Sequence, residues 1–129
     1  MDLPSLVLWV EGGGWSAYLN LLLGPIGIVV GVVAMLVSRH RGAGLATGGG
    51  AVLLGLLAGA VGLVGWLHGR ATVDEVLVHV DPTSVEAMRA VGYEEASHAL
   101  VCGGIAGALP IAAGVLAIVL TTYRSAPSA

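Results

Sequence analysis

Phenylalanine and lysine are absent from this 129-residue chain, cysteine occurs once, and only 10% of the residues are charged. Each shortage excludes something. A single cysteine leaves no disulfide framework and no cysteine-based zinc site. Soluble domains carry about 25% charge, so a chain at 10% is neither a water-soluble enzyme nor a disordered segment. Five arginines against eight acids give a net charge of −3, which attracts no polyanion, so no nucleic-acid partner is expected. No nucleophile has a visible base partner. Gly48-Gly49-Gly50 lacks the lysine of a phosphate loop. The sequence therefore predicts no enzyme, no cofactor and no metal site.

What the chain has is apolar residues and glycine: 57% hydrophobic positions, 21 glycines and a mean hydropathy of +0.94. Uncharged runs extend over 12–38, 42–67 and 99–123. Each exceeds the roughly 20 residues that carry a helix across about 30 Å of hydrocarbon. A backbone in lipid must satisfy its own hydrogen bonds, which selects helices. The expectation is an all-α integral membrane protein with one membrane domain over 1–129. Its transmembrane helices are placed near 18–37, 45–67 and 99–120, with the bilayer as partner. Asp2 stands where a signal peptide would carry basic residues, so no cleaved signal is expected.

The connections differ. Spans one and two are joined by about seven residues, a tight antiparallel hairpin. The second connection, 68–98, is the only sizeable extramembrane piece. Val73, Val76, Leu77 and Val80 fit helical spacing and read as span two continuing, while Val76, Val78 and Val80 also fit a short strand. Asp81-Pro82 reads as an N-cap with proline at the first helical position, and Gly92 as that helix's stop. The loop is thus expected to fold as short amphipathic helices lying on the membrane surface. Leu3–Glu11 is a further amphipathic stretch, ended by Gly12–Gly14. Pro25 frees the carbonyl of Leu21 and predicts a bend.

Charge and aromatics set an orientation. Arg39 and Arg41 in the hairpin and Arg124 in the tail oppose Arg70 and Arg89, while all eight acids fall on the latter side. Trp9, Trp15, Tyr18 and Trp66 mark the acidic interface and Tyr123 the other. Arg39, His40 and Arg41 are basic anchors for anionic headgroups. The reading is a multi-pass inner-membrane protein with its N-terminus outside and its C-terminus in the cytoplasm.

The glycines recur at helix-face spacing. Gly24, Gly27, Gly31, Ala34 and Ser38 share a face of span one. Ala51, Gly55, Gly59 and Gly62 share one of span two, as do Ala99, Gly103, Gly107 and Gly114 of span three. Span two has another such face in Ala58, Gly62, Gly65 and Gly69. Small residues let membrane helices approach closely. So many small faces fit either a tight monomeric bundle or, with more faces than a monomer needs, a homo-oligomer or a subunit of a larger complex.

Chemistry-bearing residues are few. No Asp, Glu, Lys or Arg lies deep in a span. Glu94, Glu95 and His98 cluster at the mouth of span three, and Glu94, His98 and Cys102 share a helical face. They read either as a proton path or as a solvated helix start. Cys102 reads as a small core residue. Asn20 is expected to bond across helices or to the carbonyl freed by Pro25, and Thr47 to bond its own helix backbone.

Two stretches carry a resemblance. Gly13-Gly14-Trp15-Ser16-Ala17-Tyr18 followed by Leu21-Leu22-Leu23 resembles the first-helix start of the MotA/TolQ/ExbB proton-channel family. Glu95-Ala96 through Gly104 to Ala108-Leu109-Pro110 is similar to that family's last-helix pattern. The chain looks like a short, divergent member without the large cytoplasmic region, since its first link is seven residues. Glu95 is the nearest match to the family's acidic position, shifted by one, and Val101 stands at its threonine. The resemblance implies a bacterial inner-membrane oligomer that takes part in ion transport, in an ion-driven complex with a single-span partner protein. The competing expectations are a non-conducting structural subunit of a larger membrane complex, and a small holin-like pore former, for which no span offers a polar face.

Overall fold

The computed structural model describes residues 14–124, which form three α-helices: α1 (Gly14–Leu36), α2 (Arg41–Leu77) and α3 (Val85–Arg124). Each is long and apolar enough to cross a membrane. Trp9 and the Leu3–Glu11 stretch lie outside the described residues. Gly14 opens α1 at φ 61°, a left-handed conformation that suits glycine. Pro25 and Pro110 sit inside α1 and α3 without ending them.

The second connection differs from expectation. At 1.5 Å per residue the 37 residues of α2 reach about 55 Å and the 40 of α3 about 60 Å, against about 30 Å of hydrocarbon. Span two continues through Val73, Val76 and Leu77, one of the two readings of their spacing, while the residues from Val85 onward, expected to form a separate surface helix, instead prolong span three. The result is a helical hairpin, a stalk whose turn covers only 78–84. Continuing a helix leaves no new ends to cap. Leu77 is buried, and Val73 packs on Gly92. A Cβ at Gly92 would lie 2.7 Å from Val73 Cγ2, so this glycine is not a stop but the position where α3 approaches α2. Good helix formers flank it on both sides, from Ala87 to Ala90 and from Glu94 to Ala96.

Asp81 organises the stalk tip. Its Oδ1 accepts the Thr83 backbone N–H at 3.0 Å and the Thr83 hydroxyl at 2.8 Å. These two bonds hold its carboxyl below the ordinary carboxylate value, the backbone bond most. The stabilisation is present above that ordinary value and is lost as pH falls through the lowered one. A turn over 82–84 intervenes before α3, so the helix starts later than Asp81-Pro82 implied.

The packing is inside-out by the standard of a soluble protein. Ala17, Ala34, Ala51, Ala58 and Ala117 are fully buried, whereas Leu22, Val29, Leu53 and Ile105 are 60% or more exposed. Lipid solvates those large side chains as well as a core would, so burial falls to the small residues, which bring helices close. Along the α2–α3 seam glycine meets glycine. A Cβ on Gly62 would lie 2.7 Å from the Gly103 Cα, one on Gly107 2.5 Å from the Gly55 carbonyl oxygen, and one on Gly114 2.6 Å from that of Gly48. Helix α1 lies parallel to α3, with Gly24 against Ala106, Gly27 against Pro110 and Gly31 against Ala113. At the hairpin end, Arg124 Nη1 donates to Ser38 Oγ at 2.5 Å, and Ser38 donates to the Met35 carbonyl at 2.7 Å.

Candidate functional site

Polar chemistry gathers where α2 and α3 leave the apolar region. On α2, Trp66, Arg70 and Asp74 are four residues apart and so share a face. On α3, Arg89 and Tyr93 do the same. The faces meet. The Arg70 guanidinium lies 5.0 Å from the Trp66 ring centre and 4.2 Å from that of Tyr93. The Tyr93 hydroxyl donates to the Asp74 carboxylate, at 2.7 Å from Oδ1 and 2.9 Å from Oδ2. Arg89 Nε stands 3.7 Å from Asp74 Oδ1, with both side chains about half exposed. This chain of contacts clamps the base of the stalk. Sequence reasoning missed it, although the four-residue spacing on both helices was its signal.

The predicted proton-path residues lie just below. Glu94 and Glu95 are exposed and His98 is half-buried, all on α3 near the stalk base. Ser97, within α3, donates back to the Glu94 carbonyl at 2.6 Å. Among the described residues no group of three His, Cys, Asp or Glu is gathered as a metal ion requires. Of the interface residues, Trp15 and Tyr123 are 48% and 78% exposed, Arg39 and Arg41 are exposed, and Trp66 turns to Arg70.

Inside the bundle, Thr47 donates to the Ala43 carbonyl at 2.6 Å, a bond within its own helix. Asn20 departs from expectation. It is 2% exposed, and neither Nδ2 nor Oδ1 has a hydrogen-bond partner among the described residues. On the α3 side the residues that share a groove wall with it are Cys102, Ile105, Ala106 and Leu109, none of which hydrogen-bonds to it.

The small residues divide into two sets. Gly24, Gly27, Gly31, Gly55, Gly62, Gly103 and Gly107 all touch a neighbouring helix, whereas a Cβ on Gly59 or Gly104 would meet nothing within 4 Å. Gly59 was expected beside Gly55 at a helix contact. Its backbone nitrogen does lie against Gly107, 3.4 Å from where a Cβ there would stand, but its own Cβ direction opens away from the neighbouring helices. Ala108 and Ala112 continue the exposed small face of Gly104 along α3.

Comparison with known proteins adds no relative: no family model, curated protein or solved structure matches this chain.

Proposed function

We propose that this chain is a structural subunit of a larger membrane assembly, held in place by helix faces that its own fold leaves open. The observation that carries the reading is the outward pair Gly59 and Gly104, with Ala108 and Ala112. A glycine in a helix costs about 1 kcal/mol relative to alanine. Close packing within the chain offsets that cost at Gly55 or Gly103 but not at Gly59 or Gly104. A second copy, or a single-span partner helix, would offset it there. The test replaces Gly59 and Gly104 together with leucine and measures particle size in mild detergent. The expected result is a fall to the monomer with helicity and unfolding unchanged. Unchanged size would mean that these faces meet only lipid.

The proposed setting is a bacterial inner membrane, with the stalk outside and the hairpin at Arg39 and Arg41 in the cytoplasm. A membrane-impermeant thiol reagent applied from outside should label Ser84→Cys and leave Ala43→Cys unlabelled. The reverse result would invert the topology.

A second reading follows the resemblance to the MotA/TolQ/ExbB proton-channel family. It is favoured by the grouping of Glu94, Glu95 and His98 at one end of the membrane-crossing part of α3. Against it stands a magnitude. Exposed carboxylates at an interface stay hydrated, whereas a charge at the bilayer centre costs about 2.5–3.5 kcal/mol or more, and relay groups are of that kind. On this reading Glu94→Gln, Glu95→Gln and His98→Ala combined should abolish proton uptake into vesicles with assembly intact. A flux equal to wild type would remove the role.

A further inference from the structure

A groove of about 230 Å³ runs between α1 and α3 on the lipid-facing side. Its wall includes Ala17 and Asn20 near the stalk end and Ile28 and Leu109 toward the bilayer centre. From Ala17 to Ile28 it follows α1 for roughly 16 Å at 1.5 Å per residue. Two prolines shape its chemistry. Pro25 offers no N–H to the Leu21 carbonyl, and Pro110 none to the Ala106 carbonyl. Both Leu21 and Ala106 line the groove. Beside them stands Asn20, buried, with its carboxamide unpartnered among the described residues.

A polar group left unpaired at this depth is expensive, and hydrocarbon supplies no water to relieve it. The rest of the wall, such as Ile105 and Leu109, is apolar. The groove's surface is therefore apolar along its length, and the one carboxamide on its wall, that of Asn20, stands buried at the stalk end, one to two turns below Trp15. A single-chain lipid fits that arrangement, head at the interface and tail inward. We propose that the groove binds one long-chain carboxylic acid, with its protonated carboxyl against Asn20 and its chain along Ile28, Ile105 and Leu109. A carboxamide offers a donor and an acceptor together. A carboxyl answers both, its carbonyl accepting from Nδ2 and its hydroxyl donating to Oδ1. An ester answers only the first and leaves Oδ1 without a donor. The low dielectric keeps the carboxyl neutral. A turn about the Asn20 χ angles presents the carboxamide to the groove.

The test uses the full chain in phosphatidylcholine vesicles with palmitic acid bearing a diazirine in its chain, followed by photolysis and peptide mapping. Label is expected on 17–28 and 102–109. Asn20→Leu should lower it at least tenfold at unchanged helicity, while Asn20→Gln should retain it. Excess palmitic acid should compete and methyl palmitate should not. If Asn20→Leu does not fold, Ile105→Trp, which fills the groove from its exposed side, should give the same loss. Equal labelling of the Leu or Trp variant would overturn the proposal. So would competition by the methyl ester, or equal labelling by a phosphatidylcholine carrying the same diazirine chain, which would make the groove a contact with bulk lipid only.

Discussion

Gly103→Leu should separate α2 from α3, whereas Gly104→Leu, one residue further along the same helix, should leave them together. At Gly103 a Cβ would lie 2.6 Å from the Gly62 Cα and 2.9 Å from the Ala58 carbonyl oxygen. Those are backbone atoms that no rotamer change can move. The helices must part, and the contacts of Gly55 with Gly107 and of Gly48 with Gly114 loosen with them. Overpacking of this kind costs about 3 kcal/mol or more, which exceeds the roughly 1 kcal/mol gained by removing a glycine from a helix. At Gly104 only the gain applies, because a Cβ there meets nothing within 4 Å. Detergent-titrated unfolding followed by circular dichroism should show a large loss for the first variant and a neutral or slightly stabilised second one. Equal behaviour of the two would mean that the glycine seam is not what joins these helices.

Arg70→Ala should open the stalk without disturbing the membrane bundle. Arg70 is held between Trp66 and Tyr93, and each cation–π contact contributes about 0.5–1 kcal/mol at exposed sites. With both gone, Tyr93 keeps its bond to Asp74 but loses the plane it rests on. Beyond that bond the stalk is held by Leu77, the contact of Val73 with Gly92, the approach of Ala96 to Gly69 and the half-exposed pair of Arg89 with Asp74. Only the Tyr93 contact crosses from α2 to α3, and a loss of about 0.7 kcal/mol is roughly threefold in an opening equilibrium. Backbone amide exchange over 71–77 and 85–95 should therefore accelerate by about that factor, and protease should cut at 78–84. Arg70→Lys should restore only part of the protection, because an ammonium lacks the planar face that stacks on a ring. Exchange unchanged in Arg70→Ala would assign the stalk's order to Val73, Leu77 and the contacts of Asp74 with Tyr93 and Arg89.

The three spans were legible because hydrocarbon thickness imposes a length, and runs without charge reveal it. The small-residue faces were legible too, since i, i+4 spacing survives whatever the helix packs against. What the pattern could not separate was Gly62 from Gly59. In water, polar residues mark the outer face of a helix. In lipid both faces are apolar, so a glycine turned to a neighbour and one turned outward read alike. Gly92 was misread for a related reason: a glycine outside the membrane looks like punctuation until the partner helix, here carrying Val73, stands opposite. The Trp66–Arg70–Asp74 face was visible as spacing, but its meaning depended on α3 returning antiparallel to bring Tyr93 and Arg89 across. Asn20 was expected to have a partner, and on its wall α3 presents Cys102, Ile105, Ala106 and Leu109, none of which bonds to its carboxamide.

The absence of a break where α2 and α3 leave the membrane has a mechanical consequence. With Gly92 seated on Val73 and Arg70 clamped between two rings, no hinge separates the embedded part from the projecting part. The stalk is then a lever whose fulcrum is the bilayer surface. About ten residues of α2 project, roughly 15 Å, so a tilt of about 10° in the spans displaces the tip by roughly 3 Å at that rise per residue. Whatever pushes on the spans sideways is felt at Asp81, and whatever grips the tip steers the spans.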